Sequence, residues 1–475
     1  MNTKRCVSAV LALVMLFTGC SGDAESSDSV SSYATDGDGR VIPITDTYTP
    51  NSYVPGDESW RVMAKEITGS VGQETDKLLP AVFLTTDDPS VISKDEYVPC
   101  TVQIDASMTD GEYSGTDVLE AKIRGRGHST WTWPKKPYKI KLEKKTSLLG
   151  MAEAKKWVLL ANYADESLLR NTTAFEMARS MGSFRFVPHA IPVDVYMNGV
   201  YQGVYTLGEQ LEVKTSRLAI DDSLANKQTA YLLEIGGADP NVDKKGWNYF
   251  DLPSECGINI VIKSPDTEYD PEAEYNWTQE HFDNIYDYVC KADTAITTLT
   301  DYERYINVDS FIDWFLVHEL TYNLDSCFRR SCYITKTTIG KLEMGPIWDF
   351  DLAFGNMYLD NPKYDDWATI GDTDNSYIGI TWYNYLMTDP KFREKARARW
   401  DEIKDTMVQT AIDTIDSYKP KIMPSAEENF EIWRTLSMAN GFQPEVMKDN
   451  DTYISQIMYL RSFISSRKRW IDENL

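Results

Sequence analysis

The sequence predicts an α+β fold in which a β-rich lobe precedes an α-rich lobe. Three observations lead there. Runs of β-branched and aromatic residues between turn formers crowd the stretch from Leu79 to about residue 212. Two of these runs are joined by Asn198-Gly199, the signature of a tight hairpin. Beyond residue 300, apolar residues recur at helical spacing, and after residue 380 the pattern is helical to the end. A chain of 475 residues has room for two or three core-bearing units, or for one two-lobed unit with a cleft.

The elements follow in order. The first twenty residues join Lys4 and Arg5 to an apolar run from Val7 to Phe17 and then to "TGC", which reads as a secretion signal. That run is too short to span a bilayer as a helix. "LFTGC" resembles a bacterial lipobox, so Cys20 is expected to be the lipidated first residue of the mature chain, although Phe17 is an unusual residue at its position. Residues 21–78 read as a polar tether and linker, and the folded domain as 79–475, divided into 79–212 and 213–475. "LPAVFLTTDD" and "PCTVQIDASM" read as strands. In "YKIKLEKK", Tyr138, Ile140 and Leu142 face one way and Lys139 and Lys141 the other. "ADESLLRNTTAFEMARSMG" reads as a helix capped at Asp165 or Ser167, and "IPVDVYMNGVYQGVYTL" as a hairpin with a type I′ turn. A strand at "GINIVIKS" and a helix from Glu272 to Ala292 follow. "DSFIDWFLVHELTYNLD" then reads as a buried helix capped by Asp309 and ending near Asn323.

Composition narrows the partners. Lys+Arg 48 against Asp+Glu 73 gives a net charge of −25, and losing Lys4 and Arg5 with the leader makes it two units more negative. Nucleic-acid backbones and anionic lipid headgroups would both be repelled, so membrane contact is expected through the anchor alone. The mature chain's Cys100, Cys256, Cys290, Cys327 and Cys332 form no CxxC pair, and no zinc knuckle is visible. Cys327 and Cys332 either bridge or are simply small buried residues. The histidines His128, His189, His281 and His318 are scattered and build no triad.

The most informative stretch is "GPIWDFDLAFGN", residues 345–356, where Asp349 and Asp351 alternate with large apolar residues. In an extended segment both carboxylates would share one face, about 6.5–7 Å apart. Such a pair either holds a cation or caps local turns. Upstream, Asp325 stands at the end of the buried helix, followed by strands at 332–336 and 341–345. Protein kinases use the same plan. There one acid orients the attacking hydroxyl and a second, beyond a hairpin, binds the magnesium that bridges the nucleotide phosphates.

From about Leu79 to the C-terminal helices the chain resembles the CotH (spore coat protein H) kinase-like family. The likeness rests on "IRGRGHSTW", "KKPYKIKL", "KKWVLLANYADESLLRN", "VYMNGVYQGVYTLGEQ", "DSFIDWFLVHELTYNLDS" and "GPIWDFDLAFGN", in that order. The resemblance implies an atypical protein-kinase-like two-lobed fold, with ATP and Mg2+ used to phosphorylate Ser or Thr of proteins such as envelope or coat proteins. It implies Asp325 as the catalytic acid and Asp349, with Asp351 beside it, as metal ligands. Nucleotide-binding candidates are Gly125 and Gly127 in a loop that equally suits a tight turn, Lys139 and Lys141 on one strand face, and Glu209 just beyond the hairpin. Glu176 either pairs with the phosphate lysine or is a plain surface acid. One position departs from the kinase pattern. Five residues after Asp325, where kinases carry a metal-binding Asn, stands Arg330, with Ser331 the nearest polar alternative.

Two other readings compete. A non-catalytic envelope lipoprotein would keep the fold and use its 13 Trp and 28 Tyr as a binding surface. A glycoside hydrolase is disfavoured, because Asp349 and Asp351 would lie on one strand rather than flank a substrate. If Cys20 is the lipid anchor, membrane-extracted protein should have an intact mass that begins at diacylated Cys20, and Cys20→Ala should move it to the soluble fraction.

Overall fold

The fold is taken from a computed structural model, which describes residues 77–357, 365–371, 378–436 and 443–475. Residues 1–47 and 48–475 separate into two units. In the first, only the backbone of two antiparallel strands is described, β1 (Tyr33–Thr35) and β2 (Val41–Pro43). Cys20, the leader and most of the expected tether lie outside the described residues. Among the described residues no helix is long and apolar enough to cross a membrane.

The β-rich half closes on itself. Seven strands, β3 (Ala81–Thr85), β4 (Val98–Asp105), β5 (Leu119–Gly125), β6 (Tyr138–Thr146), β7 (Ala154–Leu160), β8 (Ala190–Met197) and β9 (Val200–Glu209), form a barrel in the order β3-β4-β5-β6-β7-β9-β8. The parallel pairing of β8 with β3 completes the ring. Alternation explains its interior. Val82, Leu84, Val102, Ile104, Ile123, Ile140, Leu142, Trp157 and Leu207 point inward and fill it, leaving a core rather than a channel. Asn198 and Gly199 both have positive φ, 48° and 80°, the type I′ turn that the twist of the β8–β9 hairpin favours.

The second half was expected to be mainly helical, and it also contains a five-stranded antiparallel sheet. The order is β11 (Tyr249–Asp251), β12 (Asn259–Ser264), β10 (Tyr231–Ile235), β13 (Cys332–Lys336) and β14 (Leu342–Met344). The short, loop-bounded β10 and β11 carried too little alternation to be read in sequence. Around it pack α1 (Arg170–Ser180), α2 (Gln279–Thr297), α3 (Val308–Thr321), α4 (Trp382–Leu386), α5 (Pro390–Trp433) and α6 (Tyr453–Asn474).

Three helix starts differ from expectation for one reason, competition for backbone donors. Asp165 and Ser167 precede α1 instead of capping it directly, because Asp165 Oδ1 accepts from Ser167 Oγ (2.6 Å) while Oδ2 accepts the Arg170 amide (2.8 Å). Helix α2 begins at Gln279, where Thr278 and His281 form a reciprocal cap, seven residues later than Glu272. Helix α3 is capped by Asn307, whose side chain accepts from the Ser310 amide, and Asp309 lies in the first turn.

Helix α5 ties the barrel to the rest. Its Asn429 Oδ1 accepts from the buried Lys135 Nζ (2.8 Å) and the Val204 amide (3.1 Å), Ser425 Oγ donates to Asp194 Oδ2 (2.7 Å), and Trp433 Nε1 donates to Gln202 O (3.0 Å). A fully buried pair does the same for α3 and α6. Arg467 Nη2 lies 3.0 Å from Glu319 Oε2, and the two Glu319 oxygens also accept the amides of Ala368 and Thr369, each at 2.8 Å. Removing one member of such a pair leaves a buried charge uncompensated. Arg467→Met should therefore cost about 3–5 kcal/mol in urea unfolding, whereas a surface pair such as Lys291–Asp287 should cost under about 1 kcal/mol when broken.

Candidate active site

The segment carrying Asp349 and Asp351 is not a strand. Residues 345–350 have no regular structure, and Asp349 takes a left-handed φ of 70°. Polar side chains hold this backbone on every side. Asn323 Nδ2 donates to Asp349 O (2.9 Å), Asn171 Oδ1 accepts from the Phe350 amide (2.8 Å), and Asn356 Nδ2 donates to Asp351 O (2.7 Å). Arg170 Nε donates to Ala353 O (3.1 Å), and the Phe354 amide reaches Thr321 O (2.6 Å). The apolar residues between the acids go inward. Trp348 stacks on Phe175 of α1, and Phe350 meets the same ring edge-on and also touches His318. His318 itself stacks on Trp314 at 3.6 Å, and burial lowers its pKa to about 3, so it is a neutral core residue.

With the main chain fixed, the carboxylates are left facing one another. Asp349 and Asp351 are half-buried and act on one another's carboxyl groups. Burial, then the charge of Asp325, raises the Asp349 pKa. Burial, then the charges of Asp349 and Asp325, raises that of Asp351 further. Asp325 therefore belongs to the same cluster. Ser331 Oγ donates to Asp349 Oδ2 (3.0 Å), while the Ser331 amide donates to Glu234 Oε1 (2.9 Å), whose other oxygen pairs with Lys263 (3.1 Å). Arg330, at the place of the kinase Asn, is exposed and contributes no ligand.

Cations gather beside the acids. Lys139 lies on the outer face of β6, opposite Arg124 of β5. Burial and then four positive neighbours, Arg126, Arg124, Lys156 and Lys263, lower its pKa to about 8. Glu176 does not neutralise it, being paired with Arg179 one turn along α1. Lys141 is exposed farther along the strand and is not among the charges acting on Lys139.

The remaining candidates have structural duties. A Cβ on Gly125 would meet the Trp131 ring at 2.4 Å, and one on Gly127, at φ 88°, would meet Thr130 Oγ1 at 1.9 Å, so both glycines serve the packing of their own turn. Glu209 is buried with both oxygens engaged, by Arg217 (2.6 Å) and by His189 (2.9 Å). The sequence reading passed over Arg126, between those two glycines, although its charge acts on Asp349 and Asp351. A basic residue inside a glycine-framed turn was the available signal. Cys327 and Cys332 are buried free thiols, their pKa values raised by burial.

Among the described residues no group of three or more His, Cys, Asp or Glu forms a ready-made metal cage. The donor set nevertheless fits magnesium, which takes hard oxygen ligands, commonly from one or two carboxylates completed by phosphates and water. Binding such an ion would favour the charged form of both carboxyl groups, whose pKa values burial and mutual repulsion raise.

The chain is thus an α+β protein in which Asp325, Asp349 and Asp351 act on one another and Arg126 links the latter two to the cations around Lys139. A protein-family profile described as CotH kinase protein matches residues 123–471, most of the chain, and the chain belongs to that family. A comparison with curated proteins returns no match.

The raised acids have a consequence for stability. A carboxylate whose folded pKa exceeds its unfolded value keeps its proton longer in the folded state, so stability falls as pH rises from about 3.9 through the folded value. Metal-free protein should lose stability over that range in pH-dependent thermal unfolding. Asp351→Asn should flatten the loss and raise the melting temperature at pH 7, and magnesium should raise it in the parent protein only.

Proposed function

We propose that the protein is an atypical, two-lobed protein kinase that transfers the γ-phosphate of ATP to Ser or Thr hydroxyls of proteins. The observation that carries this reading is the meeting of two groups, the acids Asp325, Asp349 and Asp351 on one side and the cations Arg126 and Lys139 on the other, with Arg126 acting on members of both. A metal–polyphosphate ligand is the one common species that satisfies both at once. In this reading the barrel is the first lobe, the five-stranded sheet with its helices the second, and Cys20 tethers the protein to the outer face of the membrane near envelope or coat substrates.

Each residue then has a task. Asp349 and Asp351 would hold magnesium, which when bound neutralises the phosphate oxygens. Lys139 pairs with the phosphate chain. It is mostly protonated at pH 7, with its pKa near 8, and bound phosphate would hold the proton on. Asp325 orients the acceptor hydroxyl and takes its proton as the oxygen bonds to the γ-phosphorus, while the bond from that phosphorus to the bridging oxygen breaks and ADP leaves. Ser331 holds Asp349 through its hydroxyl, and Asp351 supplies the second carboxylate in place of the missing Asn.

Calorimetry with ATP and magnesium, beside radiolabel transfer to the protein itself and to a casein-like acceptor, tests the assignment. Asp349→Asn should abolish magnesium-dependent ATP binding and transfer with the fold retained. Asp325→Asn should leave binding nearly intact while transfer falls by roughly 10²–10⁴. A parent protein that binds no nucleotide at any magnesium concentration would overturn the kinase reading in favour of a non-catalytic envelope lipoprotein.

A further inference from the structure

We propose that Arg126 is a direct phosphate-binding residue which, until nucleotide arrives, acts as the counter-ion of the aspartate pair, so that magnesium enters with the nucleotide rather than ahead of it. This rests on the kinase reading. The support is geometric. The Arg126 amide is anchored to Pro137 O (3.1 Å) at the end of the β5–β6 pairing, and the glycines on both sides pack directly against Trp131 and Thr130. Its guanidinium lies 5.7 Å from the centre of the Trp348 ring, over the residue that immediately precedes Asp349. Its charge acts on Asp349, Asp351 and Tyr333.

The donors, however, are unused. The buried Nε has no acceptor, and among the described residues the side chain forms no ion pair. Arg170 and Arg217 also have a buried nitrogen without an acceptor, but each of these, like Arg467, is bonded to a carboxylate. Arg467 is bonded to Glu319, Arg170 to Asp165, and Arg217 to Glu209. An arginine held beside two carboxylates without bonding either keeps a planar fork of N–H groups for a third party, and that fork matches two oxygens of a phosphate. Lys139 repels it from the neighbouring strand, and an anion between the two would turn that repulsion into shared attraction.

The charge logic gives opposite signs for two ligands. Bare metal must share the acids with a guanidinium already near them, and removing that positive charge favours metal. Nucleotide-bound metal brings phosphates that occupy the guanidinium, and removing it disfavours the complex. In Arg126→Gln, Mn2+ alone, followed by water-proton relaxation, should bind about three- to tenfold tighter. MgATP, followed by calorimetry, should bind roughly ten- to a hundredfold weaker. AMP should show little change. Arg126→Lys should return bare-metal affinity towards that of the parent while leaving MgATP weakened, because an ammonium restores charge but not the fork. Thermal unfolding of both variants establishes that each is folded. Loss of affinity for both ligands would mean that Arg126 merely supports the loop, and unchanged MgATP affinity would remove it from the phosphates; either result overturns the proposal. If the parent protein binds no nucleotide, the kinase reading and the phosphate role fail together. If it does bind nucleotide and Mn2+ affinity does not rise in Arg126→Gln, the counter-ion role fails while the kinase reading stands.

Discussion

Two aspartates two residues apart, in a part of the protein with little solvent, cannot both be charged unless something positive is supplied. Much of the architecture around them maintains that unmet need. Asn171, Asn323, Asn356 and Arg170 take up the backbone groups of the Asp349–Phe354 segment, so the loop cannot relax by moving its main chain. Phe350, anchored on Phe175 and His318, prevents it from swinging outward. What remains for the carboxylates is Ser331, the nearby charge of Arg126 and each other. Charging both acids in this setting is costly, which is why their pKa values are raised.

The ion pairs elsewhere in the fold clarify what is special here. Glu319–Arg467, Asp165–Arg170 and Glu209–Arg217 are closed, with opposite charges in contact and buried together. They hold elements in place and have little charge left to offer a ligand. At the site the chain does the reverse. The acids come from the ends of α3 and the Asp349 loop, the cations mostly from barrel strands and their turn, and the two groups influence one another without joining. Keeping opposite charges near but apart requires two separate rigid supports. The closed barrel provides one, and α5, bonded to it through Asn429, Ser425 and Trp433, fixes it against the rest.

Most of the fold was legible because its signals are local. Alternation at Tyr138, Ile140 and Leu142 gave β6 and its inward face, and Asn198-Gly199 gave the hairpin. Barrel closure was not legible, since the parallel pairing of β3 with β8 joins residues more than a hundred positions apart and no local pattern encodes it. The same holds for the site. Asp325, Asp349 and Lys139 were named from spacing and strand face, and the structure places the first two in one charge cluster and the third among cations next to it. The glycines were named for a role that close packing on Trp131 and Thr130 explains instead. Arg126 was missed because its importance comes from what lies across the gap, information that a linear pattern around residue 126 does not contain.

The departure at Arg330 and the left-handed turn at Asp349 belong to one argument. A kinase with Asn after its catalytic acid draws its metal ligands from two separate loops. Here that Asn is absent, and in the proposed reading the second ligand comes from the Asp349 loop itself. In a plain strand, Asp349 and Asp351 would start about 6.5–7 Å apart with parallel side chains. Magnesium holds its oxygens at about 2.0–2.1 Å, so two ligands of one ion stand no more than roughly 4.2 Å from each other. With Asp349 at a φ of 70°, the chain between the acids is turned out of the strand path, and the two carboxyl groups act on one another. The left-handed conformation costs roughly 1–2 kcal/mol, less for Asp than for a branched residue. Asn323, bonded to the Asp349 carbonyl, and Ser331, bonded to its carboxylate, hold the residue there. In the proposed reading, a left-handed residue kept in place from both ends is what would let two neighbouring acids serve one ion.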